Sequence, residues 1–176
     1  MVKLLVFLGN PGKAYEKTRH NVGWMVCDYA YPSASWSQKF NGKIAQVENK
    51  RLLKPHTYMN ESGKSVRSCM DYFDYAVQEV LVVHDDLELP FGTIRMQCGG
   101  GLQGHNGLKS IKSHIQDDGF IRLRIGIGRP KHGSVSSFVL QRFSPEEEIS
   151  LPLILDKARY MLSDDIYTLP VTNTLV

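Results

Sequence analysis

The chain has 176 residues, 42% of them hydrophobic, with a formal net charge of +3. A chain this long buries roughly 70% of its unfolded surface, so a single domain over 1–176 needs no disulfide or metal to fold. The three cysteines, Cys27, Cys69 and Cys98, form no CxxC pair, and no apolar stretch approaches the ~20 residues of a membrane span, so a cytoplasmic protein with reduced thiols is expected.

Val2–Leu8 is an apolar run stopped by Gly9-Asn10-Pro11-Gly12, as in a buried parallel strand. Residues 21–31 carry Val22, Met25, Val26 and Tyr29 at helical spacing. Lys43–Val47 and Arg51–Lys54 form a hairpin pattern with Asn49 near the turn. A helix follows over 61–75, with Val66, Met70 and Phe73 on one side, and Val80–Val83 is a second buried strand. Thr93–Cys98 is a strand after the Pro90-Phe91-Gly92 turn, and residues 106–115 are a helix with Leu108, Ile111 and Ile115 aligned. Arg122–Gly128 alternates Leu123, Ile125 and Ile127 with polar or small residues, as a half-buried strand does. Ser144-Pro145-Glu146-Glu147 is a capping box for the last helix, which Pro152 is expected to kink or restart. The tail from Thr168 shows no pattern and is read as frayed.

Strands alternating with helices, two of the strands apolar throughout, predict a single three-layer α/β domain. A mixed twisted sheet would be flanked by helices on both faces. In such sheets sites form beyond the carboxyl ends of the strands. Asn10 follows the first strand and His84-Asp85-Asp86 the second.

Four polar clusters could carry chemistry. His20, in Thr18-Arg19-His20-Asn21, is a side chain that moves protons near neutral pH, and Asp85 could fix its tautomer and support the protonated ring. Alone, His20 is more often a surface or capping histidine, and Asp85 is equally a helix or turn cap. No Gly-x-Ser-x-Gly nucleophile elbow and no HExxH is present, so a water activated by His20 is favoured over covalent or metal hydrolysis, and no cofactor or metal is expected. Asn10, Asn60 and Asn106 are neutral donors and acceptors on separate segments, and Asn106 could equally cap its helix. The Gly99–Gly101 loop fits neither a Walker A loop nor a dinucleotide fingerprint. Lys109, Lys112, Arg122, Arg124, Arg129 and Lys131 would form a phosphate-binding patch if they share a face, and otherwise a solvated surface.

Taken together, Gly9-Asn10-Pro11-Gly12, Tyr15, Thr18–Gly23, Lys54–Gly63, His84–Gly92, Gly100–Ile111 and Arg122–Pro130 resemble, in order, the motifs of the bacterial-type peptidyl-tRNA hydrolases. The resemblance covers residues 4 to about 150. It departs from the family pattern at His56, Gln97 and Gln103. It implies an esterase acting on tRNA that carries a peptide. His20 would be the general base and Asp85 its support. Asn10 would sit near the scissile ester and help reject a free α-amino group. Asn60 and Asn106 would bind the peptide main chain or 3′ adenosine and position the water. Tyr15 and Tyr58 would contact the tRNA 3′ end, and Arg124 the acceptor-stem phosphates. A monomer with no membrane partner is expected. Two other readings stay open: an RNA-binding protein without catalysis, which would not need the His20 and Asp85 pair, and a small-molecule or peptide hydrolase indifferent to tRNA.

Overall fold

The computed structural model describes residues 1–163 and 168–176. Its strands are β1 (Leu4–Phe7), β2 (Ser37–Lys39), β3 (Gly42–Val47), β4 (Lys50–Pro55), β5 (Val80–Asp86), β6 (Thr93–Cys98), β7 (Ile121–Gly126) and β8 (Val171–Thr174). They form one sheet in the order β2-β3-β4-β1-β5-β7-β6-β8. The central strands β4, β1, β5 and β7 are parallel, and β2, β3, β6 and β8 join the flanks antiparallel. The helices are α1 (Val22–Ala30), α2 (Ser62–Phe73), α3 (Asn106–Ile115), α4 (Val135–Val139) and α5 (Pro145–Ser163).

Side chains two apart along a strand share a face, and the apolar runs use both faces. Leu5, Phe7, Leu81 and Val83 pack with Val22 and Val26 of α1 and Ile154 and Ala158 of α5. Leu4, Val6, Val80 and Val82 pack with Val66 and Met70 of α2 and Leu108 and Ile111 of α3. The expected three layers with a mixed sheet are therefore present. Among the described residues no helix is long and apolar enough to cross a membrane.

Several local expectations are corrected. Strand β5 continues past Val83 through His84-Asp85-Asp86, because these polar residues pair in register with Arg124, Ile125 and Gly126 of β7. The tail is not frayed over 171–174: β8 pairs with β6, and Leu175 N–H donates to the Gly92 carbonyl at 2.8 Å. Pro152 neither ends nor restarts α5, which runs from Pro145 to Ser163. Pro152 is exposed, so the carbonyl deprived of its helical donor lies on the solvent side. The predicted capping box is formed: Ser144 Oγ accepts from Glu147 N–H at 3.1 Å, and Glu147 Oε1 accepts from Ser144 N–H at 2.9 Å.

Helices α2 and α3 meet through Gly63. A Cβ there would lie 2.1 Å from the Ser110 carbonyl oxygen, and Gly63 N–H donates to Ser110 Oγ at 2.9 Å. Gly63→Ala must push α3 away, at a cost of about 1–3 kcal/mol. Thermal unfolding should show a Tm lower by several degrees, roughly 2–4 °C per kcal/mol at this chain length. An unchanged Tm would contradict the close approach.

Candidate active site

The segment after β1 and the turn before α1 are stitched together. Asn10 N–H donates to Asn21 Oδ1 at 2.9 Å, and Asn21 Nδ2 donates back to the Asn10 carbonyl at 3.0 Å. Between them, Arg19–Asn21 make a 3₁₀ turn that starts α1. Arg19 is buried; its Nη2 pairs with Glu147 Oε1 at 2.8 Å, and its guanidinium lies 4.0 Å from the centre of the Phe138 ring. The buried arginine thus ties the turn bearing His20 to α4 and to the cap of α5.

His20 Nδ1 lies 2.8 Å from Oδ2 of the buried Asp85. On its other side, Asp85 Oδ1 is 2.8 Å from His105 Nε2. The tautomer of His105 follows from its surroundings. Its Nδ1 accepts the backbone N–H groups of Gly107 at 3.1 Å and Leu108 at 3.3 Å, so Nε2 carries the hydrogen and donates to Asp85. The carboxylate then accepts Nδ1–H of His20, which leaves His20 Nε2 with its lone pair free. Burial raises the Asp85 pKa, but His20 and His105 outweigh it and hold the carboxyl well below the usual carboxylate range. Burial works against a charged His20 ring, yet Asp85 more than offsets this and raises its pKa above 6.5. His84 behaves oppositely: fully buried, beside His105 and Arg122, it is pushed down and stays neutral, with Nδ1–H donated to the Asp85 carbonyl at 2.8 Å.

His20, Asp85 and His105 offer ligand atoms within 4.8 Å of one another, the only such metal-type group among the described residues. Those atoms are already committed to each other by hydrogen bonds, so the donor set is explained without an ion. His20, Asp85, His105 and Asn106 line one cavity of about 340 Å³, walled on its apolar side by Leu87, Val135 and Val139.

The other expected residues surround it. Asn10 Oδ1 accepts Met59 N–H at 2.7 Å, which sets the amide orientation and leaves Nδ2 without a partner among the described residues. Asn60 is exposed in the 3₁₀ turn Met59–Glu61, next to the residue Asn10 holds. Tyr15 and Tyr58 meet edge to face with ring centres 6.4 Å apart. Asn106 is the first residue of α3, and the cap is His105 rather than Asn106.

The basic patch is smaller than expected. Arg122 is buried, its Nε and Nη2 donating to the Gly99 carbonyl at 3.1 and 3.0 Å, so it supports the glycine loop instead of facing solvent. Lys112 pairs with Asp118 and Arg129 with Glu88. Arg124 gives Nε to Asp86 at 2.8 Å and Nη1 to Gln97 at 2.7 Å. Gln103, where the family pattern has glycine, takes φ 52°, the left-handed region that glycine enters freely. His105 was legible only as a member of the glycine-rich cluster; its position directly before an apolar helical pattern was the available signal for a cap.

The mixed sheet brings together Asp85 at the end of β5, His20 in the turn before α1 and His105 at the cap of α3, side chains able to move protons at the edge of an α/β fold. Comparison with known proteins gives the particular family. The family model described as peptidyl-tRNA hydrolase matches residues 4–169. The peptidyl-tRNA hydrolase of Geotalea uraniireducens (strain Rf4) is 45% identical over 162 residues, covering 88% of this chain and 85% of that protein. That of Treponema pallidum (strain Nichols) is 45% identical over 178 residues, covering 95% and 88%. The crystal structure of peptidyl-tRNA hydrolase from Acinetobacter baumannii superposes with a TM-score of 0.83 at 38% identity, covering 90% of this chain and 85% of that one. The chain belongs to the peptidyl-tRNA hydrolase family.

Proposed function

We propose that this chain hydrolyses the ester between a peptide and the 3′ ribose of tRNA, freeing both for reuse in protein synthesis. It does so as a monomeric single domain in the cytoplasm, without a metal or other cofactor. The observation that carries the mechanism is the His20–Asp85–His105 chain, which supports an Nδ1–H tautomer of His20 and a free basic Nε2. His20 takes a proton from the attacking water and returns it to the ribose oxygen as that bond breaks. Asp85 stabilises the imidazolium formed between these events.

Asn10 supplies its Nδ2 to the carbonyl oxygen as it becomes an oxyanion, a contact worth roughly 3 kcal/mol. Its place beside the ester also disfavours a free α-ammonium group, which brings another donor where an acceptor is needed. Asn60 and Asn106 bind the peptide main chain or the 3′ adenosine and hold the water. Tyr15 and Tyr58 contact the tRNA end. Arg124 keeps Nη2 available for an acceptor-stem phosphate.

The test is hydrolysis of N-acetyl-aminoacyl-tRNA beside the matching aminoacyl-tRNA, with and without EDTA. The blocked substrate alone should be cleaved, at a rate EDTA does not change. Loss of activity in EDTA, restored by a divalent metal, would replace the hydrogen-bonded reading of His20, Asp85 and His105 with a metal site. Binding of tRNA without cleavage of either substrate would make the chain an RNA-binding protein.

A further inference from the structure

A second hollow, about 670 Å³, opens beside the Asn10 segment, lined by Gly12, by Trp24 of α1, by Trp36, and by Lys43 and Lys54 of β3 and β4. Its floor is firmly built. Trp24 lies so close on Gly9 that a Cβ there would meet its ring at 2.7 Å, and the ring stacks with His56, ring centres 5.1 Å apart. Trp24 Nε1 donates to the Phe7 carbonyl at 2.9 Å. Lys54 lies 5.2 Å from the Trp36 ring centre and is neutralised by Asp28. His56, the residue that departs from the family pattern, is pushed down by burial, Lys43 and Lys54, so it adds no charge at neutral pH.

The rim differs in charge. Lys13, Lys17 and Lys43 line it and have no ion-pair partner among the described residues; Glu16 is the one unpaired acid beside them. An aromatic floor under uncompensated cations fits a chain that presents acidic side chains. Its place in the fold suggests which chain. Along the sheet, β7 carries Arg124, β5 carries Asp85, β1 leads to Asn10, and β4 ends at this hollow. If tRNA lies on the Arg124 side and the ester at His20, the acyl group continues toward β4.

We propose that this hollow is a subsite for the peptide part of the substrate and favours peptides with acidic side chains upstream of the esterified residue. This rests on the function proposed above. Two N-acetylated pentapeptidyl-tRNAs, alike except for interior glutamates or interior lysines, test the subsite when measured beside N-acetyl-aminoacyl-tRNA. The wild-type kcat/KM should favour the glutamate substrate by about fivefold, the scale of a few exposed ion pairs. The double variant Lys13→Glu and Lys43→Glu should abolish or reverse that ratio. Both tryptophans of the chain line the hollow, so the free glutamate peptide should alter their fluorescence and the lysine peptide should not. Equal wild-type rates on the two peptides would overturn the subsite. So would an equal loss on all three substrates in the double variant, which would assign the lysines to tRNA phosphates. Failure of the wild-type protein to cleave any of the three would instead overturn the function on which the subsite rests.

Discussion

His20→Ala should lower kcat/KM on N-acetyl-aminoacyl-tRNA by roughly 10²- to 10⁴-fold, the range a positioned general base contributes. Affinity for uncharged tRNA should be unchanged. The fold should survive, because Asp85 keeps its hydrogen bond from His105 when His20 is gone. The pH dependence supplies a second check. The base works only when neutral, and Asp85 raises the pKa of His20 above its ordinary 6.5 despite burial. The wild-type kcat/KM should therefore rise with pH through a midpoint above about 6.5 and level off beyond it. Single-turnover hydrolysis across pH, for both proteins and beside their thermal unfolding, measures all of this. Near-native turnover in the variant, or a wild-type rate that falls through that midpoint, would remove His20 from the role of base.

What was legible in the sequence divides along physical lines. Val2–Leu8 and Val80–Val83 announce buried parallel strands because both of their faces are apolar, and the three layers follow from that. The ends of such strands are harder to read. His84-Asp85-Asp86 continue β5 only because β7 pairs with them, and no local pattern records that partner. Strand β8 is hidden for the same reason: Val171-Thr172-Asn173-Thr174 has no periodicity and exists by lying on β6. Helix α4 is short and begins Val135-Ser136-Ser137, too few turns to show a face. Within the site, His20 stands out by residue type and Asp85 by its place at the end of an apolar strand. Their third partner does not, because the contact from His105 depends on how α3 docks. Arg122 is the opposite case, a charge that reads as surface. It is buried because the Gly99 carbonyl, presented by a left-handed glycine at φ 61°, receives two of its N–H groups.

Asp85→Asn should be nearly as damaging as removing His20, for a reason specific to this arrangement. Asp85 accepts from two imidazoles at once, with Oδ2 facing His20 and Oδ1 facing His105. An asparagine has one acceptor and one donor for these two neighbours. His105 cannot change tautomer, because its Nδ1 is held by the N–H groups of Gly107 and Leu108. The amide oxygen must therefore turn toward His105, and the amide NH₂ then faces His20 Nδ1. That nitrogen becomes the acceptor, the ring hydrogen moves to Nε2, and the lone pair needed by the water is lost. A base held in the wrong tautomer costs on the order of 10³- to 10⁴-fold. The residual activity should also titrate differently. Without the carboxylate, burial alone acts on the His20 ring, so the midpoint of the pH profile should move down from its wild-type position. The measurement is kcat/KM against pH for Asp85→Asn, with its Tm determined alongside. An intact fold with slow hydrolysis and a lowered midpoint is the expected result. Wild-type rates with an unshifted midpoint would leave Asp85 a purely structural residue and would return the orientation of His20 to the turn that Arg19 anchors.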